Sequence, residues 1–150
     1  MITIRQAEHK DIEGIVRLLM EFHEESVKEF GYSFDPKTLR TTSGMFIDNY
    51  IAMVACDDNV IIGVIAGVLI ASMYDMKQQV ASEIVWYVDK RYKQGSTGLK
   101  LAKRYEDECR ERGADIITMG CFHGKNLDIL DRYYTSRNFK PMEYQYVKGV

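Results

Sequence analysis

Val88-Asp89-Lys90-Arg91-Tyr92-Lys93-Gln94-Gly95-Ser96-Thr97-Gly98-Leu99-Lys100-Leu101 reads as a strand end, a basic loop with two glycines, and a helix start. The first N–H groups of a helix have no intrahelical partner and point past its end, so with the helix dipole they form an anion site. Gly95 and Gly98 allow close approach to the backbone. Lys90, Arg91, Lys93, Lys100 and Lys103 add positive charge. An ordinary strand-to-helix turn with solvated lysines would explain the same residues. Neither a Walker loop nor a dinucleotide fingerprint fits: Gly95-Ser96-Thr97-Gly98 lacks the G-K-[ST] ending, and G-x-G-x-x-G is absent.

Upstream of this stretch, Ile51 to Cys56, a turn at Asp57-Asp58-Asn59, and Val60 to Ser72 predict an antiparallel hairpin. A polar loop through Asp75 to Gln79 leads to a third strand, Ala81 to Val88. Ile2 to Arg5 alternates and predicts an opening strand. Ile12, Ile15, Val16, Leu19 and Phe22 mark one helix, with Glu8, Asp11 and Glu13 near its positive end. Asp35-Pro36 starts a second helix running toward Asn49, because Asp caps and Pro tolerates the first position.

Downstream, Leu101, Ala102, Tyr105 and Cys109 restore the helical period, with Glu106–Arg110 and Glu108–Arg112 as i,i+4 pairs and Gly113 as the stop. Ile116 to Met119 predicts a short strand. Asn126 caps a fourth helix whose Leu127, Leu130 and Tyr134 share a core face. Asn138 is a left-handed terminator, and Phe139 to Val147 predicts a last strand. The order is β-α-α-β-β-β-α-β-α-β. The crossover through the third helix makes its flanking strands parallel neighbours. The class is α/β (mixed α+β), with a mixed, mostly antiparallel sheet flanked by helices.

With 150 residues, two prolines, no repeat and no linker, one domain over 1–150 is expected. Hydrophobic residues at 46% against 28% charged support a real core. A net charge of −2 argues against a dominant nucleic-acid or anionic-membrane surface. No apolar run suits a membrane helix, and no secretory signal is visible. Three scattered cysteines, Cys56, Cys109 and Cys121, argue for a reducing cytoplasm rather than a disulfide framework. His9, His23 and His123 lack metal spacing, so no metal is expected. Cys121 and His123 share a strand face without a third member of a nucleophilic set.

The strand–loop–helix resembles the acyl-CoA loop of the GNAT N-acetyltransferase superfamily, [QR]-x-x-G-x-[GA], in the register Lys93-Gln94-Gly95-Ser96-Thr97-Gly98. Lys93 stands where the family has Gln or Arg, and Ser96 where it has its first Gly. Asn126 with Tyr134-Thr135-Ser136-Arg137-Asn138-Phe139 is similar to the family's N-x(n)-Y-x-x-x-G-F ending, with Asn138 for Gly. Ile4-Arg5-Gln6-Ala7 and Arg112-Gly113-Ala114 resemble further family segments, so the likeness spans essentially the whole chain. Glu83 to Val88 is also similar to virus-encoded members, in which case the cytoplasm would be a host's.

The resemblance implies a single-domain acyl-CoA N-acyltransferase fold. It implies direct acetyl transfer from acetyl-CoA, as cosubstrate, to a primary amine on a small molecule or peptide, with homodimer formation as a further expectation. Tyr87, Val88, Lys93, Gln94, Gly95, Ser96, Thr97, Gly98 and Asn126 would bind the cofactor. Backbone N–H groups near Tyr87 and Val88 would polarise the thioester carbonyl. Tyr134 would be the acid that protonates the CoA thiolate, with Tyr133 next to it in register, and Glu83 the base. A surface carboxylate and a core aromatic are the plainer readings of Glu83 and Tyr134. Departures at Lys93 and Ser96 keep open a catalytically inactive member that binds CoA or a protein. An unrelated nucleotide-phosphate-binding domain is a third reading. The two helices between Asp11 and Asn49 and the loop Met73 to Gln79 would border the acceptor. Their Glu21, Glu24, Glu25, Glu29, Asp35 and Asp75 suit a cationic amine or form a solvated acidic face.

Overall fold

The hairpin upstream of the basic loop forms the centre of the molecule. In the computed structural model, which describes residues 1–122, 124 and 127–150, strands β1 (Ile2–Gln6), β2 (Ile51–Asp57), β3 (Val60–Ala71), β4 (Gln79–Val88) and β5 (Ile116–Thr118) form one sheet in the order β1-β2-β3-β4-β5. The first three pairings are antiparallel and the last is parallel. Helices α1 (Ile12–Phe22) and α2 (Pro36–Asn49) cover one face, while α3 (Thr97–Glu111) and α4 (Leu127–Ser136) lie on the other.

Strand β2 is buried along Ile51 to Cys56, and β3 from Ile61 to Gly67, because helices cover both faces. Such strands read as continuous apolar runs rather than alternating ones. Val54, Val64 and Tyr87 pack with Ile15 and Leu18 on the α1 side. Met53, Ile65 and Ala81 pack with Leu101 and Tyr105 on the α3 side.

Two irregularities of β4 shape its surroundings. Ala66 faces Val85 and Gly67 faces Glu83, so Ile84 is the extra residue of a bulge. The bulge reverses the alternation: Ala81 and Trp86, five residues apart, both serve the α3 side, while Val85 and Tyr87 serve the α1 side. Opposite the bulge, a side chain on Gly67 would run into the Tyr105 hydroxyl, which fixes glycine there. Secondly, the parallel ladder covers only Val80–Ser82 against Ile116–Thr118. From Glu83 onward, no strand among the described residues pairs with β4 on its β5 side.

Several expectations change. Phe139 to Val147 forms no strand: the segment makes no ladder, and Tyr144 and Tyr146 are 88% and 95% exposed. Alternation predicts a strand only where a neighbouring edge supplies hydrogen bonds, and β5 offers three residues. Among the described residues the sheet thus has five strands rather than six. Leu127 does not reach the core, being 45% exposed. Asp11 is not a solvated helix-end acid but a buried partner of Arg5, whose guanidinium donates to both carboxylate oxygens. Gly113 and Asn138 take the positive φ expected of terminators. The Asp35 side chain caps α2 at the Thr38 N–H.

Candidate active site

The place where β4 and β5 part gathers the chemistry. Asp89 N–H donates to Ile62 O at 2.8 Å. Because antiparallel pairs alternate between bonded and non-bonded, the N–H of Tyr87 turns to β3 and that of Val88 turns to the open side. A backbone donor therefore faces the gap at the carboxyl end of β4.

Glu83 and Tyr134 meet at the same gap. The Gly120 N–H donates to Glu83 Oε2 at 3.1 Å, and the Tyr134 hydroxyl donates to Gly120 O at 2.6 Å. Burial pushes the Glu83 carboxyl up to about 7, with the Gly120 N–H pulling the other way. Burial, followed by the neighbouring Glu83 charge, holds the Tyr134 hydroxyl above the ordinary tyrosine value. Tyr134 is therefore a neutral donor at pH 7. Tyr133 is engaged elsewhere, its hydroxyl donating to Glu106 Oε1 at 3.1 Å. Buried Glu106 also accepts from Arg137 of the segment after α4, so this cluster anchors α4 on α3.

Past Val88, Asp89 accepts from the Arg91 side chain and N–H and from Arg17. These bonds, led by that of Arg91, hold its carboxyl well below the usual range. Gln94, Gly95 and Ser96 are exposed, Thr97 is buried as the first residue of α3, and no side chain caps the helix. Neither Gly95 nor Gly98 has positive φ. A Cβ on Gly98 would make only ordinary contact with Val88 and Trp86. The fold itself therefore does not require glycine at 98, which leaves open space at the helix start.

Not every basic residue of the loop is available. Arg91 is committed to Asp89, and Lys93 Nζ donates to Glu25 Oε2 at 2.6 Å. Among the described residues, Lys90, Lys100 and Lys103 make no ion pair. Asn126 and His123 lie outside the described residues, and Cys121 is a free, exposed cysteine.

Glu25 is a residue whose place the sequence reading passed over as one of several acids. It sits on a π-helical turn, His23–Val27, that prolongs α1. Its Oε1 accepts from the buried Tyr87 hydroxyl at 2.8 Å. Burial raises the Glu25 carboxyl, but the bonds from Lys93 and Tyr87 outweigh it and leave the group below its ordinary value. The signal was present: Ile15, Leu18, Phe22 and Glu25 follow heptad spacing, which places an acid on an apolar stripe.

At the mouth of the half-parted β4–β5 pair, the Val88 N–H faces the gap and α3 starts without a side-chain cap. The Acetyltransferase (GNAT) family model matches residues 13–139, and the chain belongs to that family. Among solved structures, a transcriptional regulator from Bacillus halodurans superposes with TM-score 0.81 at 18% identity, over 100% of both chains. An acetyltransferase from Clostridium acetobutylicum, solved with acetyl-CoA, gives 0.74 at 16% identity, covering 99% of this chain and 96% of that one. An aminoglycoside acetyltransferase from an uncultured soil metagenomic sample, in complex with sisomicin, gives 0.68 at 20%, covering 99% and 94%. No curated protein matches the chain. Among the described residues no helix is long and apolar enough to cross a membrane.

Proposed function

We propose that the protein transfers the acetyl group of acetyl-CoA directly to a primary amine. The observation that carries this reading is the shared hold of Glu83 and Tyr134 on Gly120, beside a Val88 N–H that the register turns away from β3. A lysine-like amine has pKa ~10.4, so about one in 10³ is neutral at pH 7. Glu83, poised at about 7, takes a proton from the acceptor ammonium. The amine nitrogen then bonds to the thioester carbon, and the oxyanion is met by the Val88 N–H. Collapse breaks the C–S bond, Tyr134 gives its proton to the departing thiolate after releasing Gly120 O, and the second proton shed by the nitrogen as it becomes an amide restores the tyrosine.

The pyrophosphate would lie on the N–H groups at the start of α3, with Lys90, Lys100 and Lys103 nearby and Gly98 leaving room. The acetyl-CoA held by the Clostridium structure is consistent with this cofactor. The sisomicin held by the metagenomic structure is consistent with a cationic small-molecule acceptor.

A second reading, a non-catalytic CoA-binding or protein-binding member, is favoured by the commitment of Arg91 and Lys93 to internal carboxylates. Thermal shifts with acetyl-CoA, CoA, ATP and NAD, followed by thiol release with a panel of amines, separate the readings. A ligand that binds only the native state raises apparent stability. Stabilisation by acetyl-CoA together with amine-dependent thiol release supports transfer. Stabilisation without thiol release from any amine supports the second reading.

A further inference from the structure

Lys93 is a primary amine of this chain, and its ammonium is already bound. Its Nζ lies 2.6 Å from Glu25 Oε2 and 4.6 Å from the centre of the Tyr87 ring. A carboxylate and an aromatic face together are what recognises an alkylammonium. The Tyr87 hydroxyl holds the other Glu25 oxygen, so the carboxylate is fixed in place. The Phe22 ring lies tilted 5.3 Å from that of Tyr87, Phe122 meets Phe22 edge-on at 5.4 Å, and Phe30 stacks on Phe122 at 5.6 Å, which gives an apolar wall beside the charge. Further negative charge lies close by. The Glu21 charge is felt at Tyr87; its Oε1 is paired with Arg17 at 2.7 Å, while its Oε2 is out of water with no hydrogen-bond partner among the described residues.

We infer that Glu25 and the Tyr87 ring form a binding site for a second, non-reacting ammonium of the acceptor, occupied by Lys93 until the cofactor's phosphates draw that lysine away. The inference rests on the proposed acetyl transfer. Lys93 leads the loop that runs into α3, so an arriving pyrophosphate competes with Glu25 for its charge. An ammonium on Glu25 is not the one that attacks. Reacting atoms must approach to about 3–3.5 Å, and the carbonyl would sit at the Val88 N–H, whereas Glu25 lies at the far end of the Tyr87 side chain. The acceptor class is therefore an amine carrying at least two cationic nitrogens, and acetyl-CoA binds before it.

Spermidine and n-butylamine are the probes, because they differ in the second charge. In the wild-type protein, spermidine should have the lower KM. Glu25→Gln should raise the spermidine KM at least about tenfold, as expected for losing a charged hydrogen bond, with a much smaller change in kcat. The butylamine KM should hold, and acetyl-CoA affinity should stay or tighten, because Lys93 is released. Lys93→Met should weaken acetyl-CoA and let spermidine raise the melting temperature of the cofactor-free protein, which the wild type resists. That last measurement needs no turnover, so it tests the ammonium site even if acetyl transfer proves wrong. Equal rises in KM for both amines, or no spermidine stabilisation of Lys93→Met, would overturn the inference. Absence of acetyl-CoA binding to the wild type would instead remove the proposed function.

Discussion

Glu83 and Tyr134 are joined through a single residue, Gly120, whose N–H serves the carboxylate and whose carbonyl accepts from the hydroxyl. One comes from β4 and the other from α4, yet neither is fixed by a ladder or a helix contact with the other. The short parallel pairing of β4 with β5 makes this possible. Had the ladder continued, Gly120 would have spent its backbone groups on strand bonds. Instead a proton acceptor poised near neutrality and a neutral proton donor share one peptide mount.

With Glu83 as the proposed base, its carboxyl at about 7 should set a pH dependence of rate. A base works only when ionised, so kcat/KM should rise about tenfold per unit below pH 7 and level off above it. Glu83→Gln should remove that limb. Stability runs the other way. The folded value lies above the ordinary one of 4.5, so the folded state keeps a proton that the unfolded chain has lost, and stability falls as pH rises from about 4.5 to 7. Melting temperatures at pH 5 and 8 should therefore differ less in Glu83→Gln than in wild type. An unchanged rate profile in the variant would exclude Glu83 as the base.

Tyr134→Phe and Tyr133→Phe should separate chemistry from anchoring. Loss of the Tyr134 hydroxyl should lower kcat at least about tenfold with Michaelis constants little moved, since general acid help is worth about 10²–10⁴-fold. Tyr133→Phe removes a bond to the buried Glu106 and should lower the melting temperature while kcat stays closer to wild type. Steady-state kinetics and thermal melts on both variants decide it. A larger kcat loss in Tyr133→Phe would move the acid by one residue.

The helix and strand periods along most of the chain were legible because burial was regular. Ile15 and Leu18 repeat at helical spacing, and β2 and β3 are apolar throughout. The crossover from β4 through α3 to β5 followed from chirality. What could not be read depended on partners far along the chain. The Ile84 bulge shows only against Gly67, and the Glu83–Gly120 bond spans 37 positions. The pairing of Lys93 with Glu25 spans 68 positions and reassigns a charge that the local motif gives to a phosphate. Phe139 to Val147 carried strand periodicity that no edge takes up.

Gly98→Glu should abolish acetyl-CoA binding while circular dichroism stays native-like. A Cβ at 98 meets only ordinary contacts, so the fold tolerates a side chain, whereas a carboxylate at the first turn of α3 would repel a pyrophosphate. Wild-type binding should also weaken with added salt, because Lys90, Lys100 and Lys103 are exposed and the Debye length is ~10 Å at 0.1 M. Calorimetric titrations of both proteins at low and high salt check this. Full affinity in Gly98→Glu would place the cofactor elsewhere.

Glu106→Ala should destabilise the fold by about 1–3 kcal/mol, the usual cost of leaving the polar partners of a buried group without their hydrogen bonds. Glu106 is 1% exposed and sits on α3, where it accepts from Tyr133, Arg137 and Arg110. Arg110 is on its own helix and turns to water at little cost. Tyr133 and Arg137 belong to α4 and the turn after it, so their release frees the element that carries Tyr134. Denaturant unfolding gives the stability loss. Hydrogen exchange should show protection lost across Leu127–Ser136 before it is lost in β2 and β3. Uniform loss across the whole sheet would mean that Glu106 supports the core rather than α4. In that case the Tyr134 hydroxyl would owe its position to Gly120 alone.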